Sequence, residues 1–393
     1  MVAAAQEFPE TVPTAASPYE QSEGVSSVEQ GSPNELTLRI GSPESLTKHY
    51  QGWWQVQTEM ETRDENMDQE VGSVIKANVN FNIKLSPMFA IRLAPSGVFR
   101  SRRLQQRIEN DDNDSNLNAG DSFFQFVPIH FFELRVGSLA QAFLSNNELV
   151  SEGKAFPGLM EMGHIDFDRE THLDIVAEQV VPTSSSLNTD RESREPLPIF
   201  QTQMLNFRFE PKDGLGFKAN AGHYSWNQLP SKVAYESQLL GNEPGSTGCD
   251  LEACSKFNYN FDGFFGGGML NWSGPGWGIN GAFTRVLNTA APTGRRNAQD
   301  IRLEPYLDKK FYRTSLAADY FFSESDVTPA LYTSGRFGNT NREGYAITAK
   351  VRFKKYGFSL YGQYVAADPL LEASNQFHLT TAILGVETDY ASF

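Results

Sequence analysis

Over residues 75–85 the chain alternates without interruption. In Ile75-Lys76-Ala77-Asn78-Val79-Asn80-Phe81-Asn82-Ile83-Lys84-Leu85 every odd position is apolar and every even position is Lys or Asn. A period of two puts the two classes on opposite faces of a strand, whereas a helix mixes them. The run is close to the roughly 9 to 11 residues that a tilted strand needs to cross a bilayer, and longer than most strands of soluble domains. The pattern returns in Tyr345, Ile347, Ala349, Val351 and Phe353 against Thr348, Lys350, Arg352 and Lys354. It is present again in Thr314, Leu316, Ala318, Tyr320 and Phe322, and in Leu173, Ile175 and Ala177 against His172, Asp174 and Glu178.

Read along the whole chain, this periodicity predicts strands near 50–62, 71–85, 88–103, 121–130, 134–144, 159–167, 171–182, 198–210, 215–226, 257–272, 277–289, 300–308, 311–323, 343–355, 358–367 and 377–391. That makes sixteen, with fourteen or eighteen left open by the less regular stretch from strand four to strand six. The connections alternate in length. Short turns fall at Ser86-Pro87, 131–133, 168–170, 211–214, 273–276, Lys309-Lys310 and Tyr356-Gly357, where Gly, Pro, Asp and Lys supply turn chemistry. Between them lie longer polar gaps at 63–70, 104–120, 145–158, 183–197, 227–256, 290–299, 324–342 and 368–376. Short turns at one end and long loops at the other are the signature of an antiparallel transmembrane β-barrel whose chain ends both lie on the turn side.

Composition narrows the class further. The chain has 29 Phe and 14 Tyr among 393 residues, yet its hydrophobic fraction is only 39 %, so it is aromatic-rich and polar together. No apolar run approaches the ~18 residues of a membrane helix. The net charge of −15 excludes a sequence-independent nucleic-acid binder, which needs a basic face. Cys249 and Cys254 are too isolated for a four-ligand zinc site and suit a small disulfide-closed loop in an oxidising compartment. Residues 1–48, rich in Ser, Pro, Glu and Ala, read as a flexible periplasmic tail, leaving 49–393 for the barrel.

If the apolar phase faces lipid, the polar phase faces water inside. The basic residues on it are Lys76, Lys84, Arg92, Arg100, Arg102, Arg208, Lys218, Arg302, Lys350, Arg352 and Lys354. The acids are Glu59, Glu61, Asp174, Glu178, Glu210, Glu304, Asp308, Asp319, Glu387 and Asp389. These charges nearly cancel, which favours general passage of small hydrophilic solutes over a specific channel and leaves mutual pairing as the plain alternative. Aromatics near predicted strand ends, Trp53, Trp54, Trp226, Trp272, Trp277, Tyr312, Tyr356 and Tyr390, suit the membrane-water interface.

These features resemble the Gram-negative outer-membrane porin superfamily over residues 49–393, and the chain ends in Phe393, as such barrels commonly do. The phase before that end is Leu384, Val386, Thr388 and Tyr390, one step off the family pattern. A local likeness to phosphate-selective and related porins lies in Leu134-Arg135-Val136-Gly137, Phe143 and Asn147-Glu148-Leu149-Val150-Ser151. It implies that the loop 145–158 folds into the lumen and brings Glu148, Glu152 and Lys154 toward the solute path. The basic ladder of anion-specific members is not cleanly present. The resemblance implies a homotrimer in contact with lipid and lipopolysaccharide, passive diffusion of small hydrophilic solutes and ions, no cofactor and no enzymatic activity.

Other constellations are weaker. Asp112-Asn113-Asp114-Ser115-Asn116 begins like a calcium loop, but Leu117 and Phe123 stand where Gly and Glu are required. His164 and His172, equidistant from Asp168 on the polar phase with Asp166 and Asp174, have the spacing to meet across a hairpin and hold a metal, or to bind carboxylates and water. No histidine lies in a hydrolase context, and Gly266-Gly267-Gly268 has neither the Lys nor the helix of a phosphate loop. Two competing readings stay open: a structural or adhesive barrel with a blocked lumen, and a secreted all-β binding protein.

Overall fold

The computed structural model describes residues 50–65, 68–102, 116–183, 189–211, 214–245, 254–372 and 376–392; the tail expected over 1–48 lies outside them. Every strand pair is antiparallel and joins neighbours in sequence, and the first strand also pairs with the last, so the sheet closes on itself. Sixteen wall strands result among the described residues. They are β1 Tyr50–Glu65, β2 Asp68–Lys84, β3 Phe89–Leu93 continued by Ser96–Arg102, and β4 Asn116–Asn118 continued by Ser122–Ile129. Then come β5 Phe132–Ala140, β6 Ala155–Asp166, β7 Thr171–Val180, β8 Ile199–Phe209 and β9 Leu215–Asn227. The wall is completed by β10 Phe261–Gly274, β11 Trp277–Asn288, β12 Asn297–Asp308, β13 Tyr312–Ser323, β14 Arg342–Phe353, β15 Phe358–Pro369, and β16 Leu379–Thr388 continued by Ala391–Ser392.

Each predicted strand has its counterpart, and the stretch from four to six contributes three strands. The interruption in β3 comes from Pro95, which has no N–H to give a ladder. Register survives it: Arg92 faces Asn82 before the break and Ser96 faces Asn78 after it, so no residue is inserted and the phase is kept. Gly120 sits against the same break at φ 57°, and a Cβ there would lie 2.0 Å from the Ala94 carbonyl oxygen, so only glycine fits.

The two phases part as the pattern requires. On β2, Ile75 is 46 % exposed while Asn80 and Asn82 are buried. Around the wall the outward positions form an apolar belt that includes Phe99, Phe124, Ile175, Phe217, Ile301, Leu316, Ile347, Leu360 and Leu384. A soluble sandwich hides its apolar phase; here that phase is the one left outside, which fits a lipid solvent. Among the described residues no helix is long and apolar enough to cross a membrane.

Three expectations need correction. Strand five ends at Ala140, and Gln141–Leu144 form a 3-10 turn that leaves the wall. The gap 227–256 carries a short helix, α1 Ser231–Leu239, with Val233 and Ala234 buried. Trp53 and Trp226 are not interfacial; both are buried, Trp226 stacking on Tyr332 at 4.9 Å. Trp54, Trp272, Trp277, Tyr312 and Tyr356 are exposed as expected, while Tyr390 is half-buried.

Candidate pore and its constriction

The lumen is lined by opposed charges, and the structure joins them in pairs. Lys76 Nζ lies 3.3 Å from Glu59 Oε2, and Arg92 Nε 3.2 Å from Asp121 Oδ2. Arg208 donates to Asp174 at 2.8 Å, Lys218 reaches Glu210 at 3.0 Å, and Arg302 donates to Asp319 at 2.9 Å and lies 3.4 Å from Glu304. Lys350 pairs with Glu387, Arg352 with Asp389 at 3.1 Å, and Lys354 with Asp308. The mutual pairing that the sequence left open is therefore the arrangement found. Lys84 is half-buried at the turn end of β2; the side chains of Arg100 and Arg102 lie outside the described residues, although the register of β3 gives their backbone the phase of Arg92.

Sequence reasoning missed part of this lining. Glu133 pairs with Arg135, and the Phe123 ring lies under both Arg92 and Arg135, their guanidinium carbons 5.9 and 4.9 Å from its centre. Tyr361 donates to Glu59 at 2.7 Å and accepts from Gln57. The alternation of β4, β5 and β15 carried this signal, since each residue holds an inward position. His164 and His172 do not face each other. His164 bonds Asp174 at 2.7 Å and His172 bonds Asp166 at 2.6 Å, so each imidazole is taken by a carboxylate. Among the described residues no His, Cys, Asp and Glu group is arranged to hold a metal. The calcium-like stretch lies outside the described residues up to Ser115. Cys254 is disulfide-bonded, and Cys249, the other cysteine of the chain, lies outside the described residues.

The connection 141–154 does turn into the barrel. Asn220 Nδ2 on β9 donates to the Leu144 carbonyl at 3.0 Å, and Asn146 Nδ2 donates to the Arg285 carbonyl on β11 at 3.3 Å. Leu144, Leu149, Val150 and Phe156 are fully buried against Phe200, Tyr224, Phe261, Phe265 and Val286 of the wall. Of the three charged residues placed there from sequence, Glu148 is buried, and burial together with Asp300 pushes its carboxyl well above the usual range. Glu152 and Lys154 are half-buried.

A second connection, 324–341, was read as an ordinary outer loop and is not one. Val327, Leu331 and Tyr332 join the same apolar cluster, and Ala330 beside them is buried. Ser151 N donates to the Tyr332 carbonyl at 2.9 Å, and Thr328 Oγ1 donates to the Leu149 carbonyl at 3.2 Å, so the two inward loops are bonded to each other. Asn242, just past α1, knits a third loop in: its Nδ2 donates to Thr328 O at 3.0 Å and its Oδ1 accepts from Ala330 N at 2.7 Å. Asp326 accepts from Glu243 N at 3.2 Å; burial raises its carboxyl to about 6, against the opposing effects of Ser325, Arg295 and Asn242. Gln376 closes the other side, donating to Leu240 O and Thr340 O at 3.0 Å each.

The loop half of the lumen is thus packed with an apolar core, while the half toward the turns is lined with paired charges. Several wall residues keep water contact: side-chain exposure is 30 % at Lys76, 21 % at Arg208 and 25 % at Lys218.

No known family pattern and no curated protein sequence matches the chain. Solved structures do match in shape. OprB of Pseudomonas putida aligns over 89 % of this chain and 96 % of its own, with a TM-score of 0.56 at 12 % identity. A loop L8 deletion mutant of OmpT, an outer membrane protein of Vibrio cholerae, aligns over 88 % and 100 % with a TM-score of 0.53 at 9 % identity. Salmonella typhi OmpF, in complex with daunomycin, aligns over 87 % and 97 % with a TM-score of 0.51 at 8 % identity. At such identities the likeness is one of fold. By its closed sixteen-strand wall, its apolar outer belt and these neighbours, the chain has the fold of a porin-like β-barrel.

Proposed function

We propose that the chain forms a water-filled channel in the outer membrane of a Gram-negative bacterium, through which small hydrophilic solutes and ions diffuse down their gradients. The observation that supports this most is the inner wall: charged side chains on most strands, neutralised in pairs yet partly in contact with water at Lys76, Arg208 and Lys218. Such a lining hydrates polar solutes and excludes apolar ones, which lose nothing by staying outside and gain no partners within. Pairing also keeps the net field small, so ion preference is expected to be weak. The pore-lining residues of this reading are Lys76, Arg92, Arg208, Lys218, Arg302, Glu304, Asp319, Lys350 and Arg352, with Arg100 and Arg102 continuing the strip of β3. Passage is set at the level where connection 141–154 meets connection 324–341. Lipopolysaccharide around the wall and assembly into three copies belong to the same proposal, and no catalytic step or cofactor does.

Single-channel recording of the full chain in a planar bilayer tests it. Stepwise conductance supports the channel, whereas electrically silent protein that is correctly folded removes it. A second reading, a barrel closed by its own loops, is favoured by the apolar cluster that joins both inward loops to β6, β8, β9, β10 and β11. Silence from folded protein, relieved when the loops are loosened, is its expected result.

A further inference from the structure

The turn end of the barrel is divided by charge. On one side, Asp166, Asp168 and Glu170 gather around the β6–β7 turn with Arg169, and Glu210 joins them, its N–H donating to the Glu170 carbonyl at 2.8 Å. On the other side, the β12–β13 turn carries Lys309 and Lys310 and the β14–β15 turn carries Lys354 and Lys355, all four exposed. These two basic turns form one surface, because Lys354 N donates to the Phe311 carbonyl at 3.1 Å. Lys354 is neutralised by Asp308. Lys309, Lys310 and Lys355 have no acidic partner among the described residues. Lys310 and Lys355 each place Nζ 5.6 Å from the ring centre of the next residue, Phe311 and Tyr356, and those rings are 62 % and 69 % exposed. Like charges gathered on one small surface attract an anion, and bare rings beside them gain from an apolar cover.

The side from which an occupant comes follows from the phase of β13. Tyr312 is its first outward residue, so Phe311, one step earlier, falls on the opposite phase, toward the mouth and water. A soluble anionic segment fits that direction better than a lipid headgroup. The chain itself enters the wall beside this surface. Tyr50 opens β1 opposite Ile83 at the turn end of β2, and Trp53 pairs with Ser392 at the end of β16. Asp389 N donates to the Gly357 carbonyl at 2.7 Å, so the end of β16 lies against the β14–β15 turn. From β1 back to β13 is four strand spacings, about 19 Å. Ten residues reach at most about 33 Å, enough to bring the chain that precedes β1 over both turns. Residues 1–48 carry seven Glu against two basic residues, Arg39 and Lys48, with Phe8, Tyr19, Leu36, Leu38 and Ile40 among them.

We propose that the acidic segment 1–48 docks on the basic β12–β15 turns, with its glutamates on Lys309, Lys310 and Lys355 and its apolar residues over Phe311 and Tyr356. Exposed ion pairs are individually weak, but the segment is joined to the wall beside its site, which holds it there at an effective concentration on the order of millimolar. The acidic turns between β6 and β9 repel it from the other half of the rim, so it lies to one side and does not cross the lumen.

The full chain in nanodiscs of phosphatidylcholine tests this. A photo-crosslinking residue at position 311 should link to residues 1–48. The yield should fall at least five-fold between 0.1 and 1 M salt, where screening shortens from about 10 to 3 Å. Lys309→Glu, Lys310→Glu and Lys355→Glu together should lower it as much at 0.1 M salt, and Glu29→Lys, Glu35→Lys and Glu44→Lys in that background should restore it. Proteinase K should cut within 1–48 at least five-fold more slowly in the wild type than in the triple lysine variant. Heat-modifiable gel mobility confirms that each variant holds a folded barrel; if the triple reversal does not fold, the same three lysines are changed to Gln, with a smaller fall in the same direction. A link to lipid, or loss of the link to 1–48 when phosphatidylglycerol replaces half of the lipid, gives the surface to headgroups and overturns the proposal. A yield indifferent to salt and to charge reversal overturns it as well. Conductance enters none of these readouts, so their failure leaves the channel proposal standing.

Discussion

Removing the Tyr332 ring tests whether the inward loops govern passage. The side chain is fully buried in connection 324–341, lies parallel to Trp226 at 4.9 Å and meets Phe156 edge-on at 5.5 Å. Truncating a buried aromatic to Ala costs about 3 to 5 kcal/mol when the site does not collapse, and each aromatic pair adds ~0.5 to 1.5 kcal/mol to what is lost. That cost falls on the docking of the loops and not on the wall, because every wall strand keeps its ladder to both neighbours. Tyr332→Ala is therefore expected to leave heat-modifiable gel mobility unchanged, to raise single-channel conductance with added flicker, and to expose 324–341 to protease in the folded barrel. Unchanged conductance together with an unchanged cleavage pattern would refute the view that these loops set the narrowest section.

Val79→Arg should assemble far less well than Asn80→Arg, since a cation at the outer mid-wall costs roughly 2 to 4 kcal/mol while a lumen change does not; equal yields of folded barrel contradict the assigned faces. The Asp326 carboxyl, raised to about 6 by burial, gives loop docking a pH dependence with a definite sign. The freed loop ionises near 3.8, so docking is strongest below that pH and weakens as pH rises through about 6, by on the order of 3 kcal/mol in all. Conductance should rise over that window, and Asp326→Asn should flatten the curve. Reversing Lys76 and Lys218 to Glu should move reversal potentials toward cations, and the shift should shrink with salt because screening acts over roughly 8 Å at physiological ionic strength; a shift unaffected by salt places its origin elsewhere.

The wall was legible in the sequence because a strand that separates lipid from water must write both solvents into alternate residues. Ile75 to Leu85 does so at every position, and β2 was found there in the assigned phase. The pairing of inward charges was legible as a balance but not as partners, since cross-strand register joins residues far apart, as with Lys350 and Glu387. Connection 324–341 was not legible. Its Ser, Thr, Asn and Gly make it polar in composition, yet those side chains spend their hydrogen bonds on backbone inside the barrel: Asn339 on Ala330 O, Thr328 on Leu149 O. Polar composition therefore reported satisfaction of buried backbone, where a surface loop would report solvent. Trp226 misled for a related reason, since position near a strand end does not say which face the ring takes.

The inner wall itself explains why the loops fold inward. Met160, Met162, Val176 and Met204 sit on the lumen phase of β6, β7 and β8 and are all buried, so the strands that hold Asp174 and Arg208 also carry an apolar patch on their inner face. Left to water in an open sixteen-strand lumen, it would expose several large side chains, each worth about 1.5 to 3 kcal/mol on burial. Phe143, Leu144 and Leu149 from connection 141–154 join that cluster, and Leu331 and Tyr332 extend it from the other loop. The wall sequence thus demands a cover, and the two loops supply one whose hydrogen bonds are met within the barrel. A plug required by the wall is a standing part of the fold and not an occasional lid. In the channel reading proposed above, passage depends on what this cover leaves open, and loosening it at Tyr332 is expected to widen the path at the expense of an exposed apolar sector.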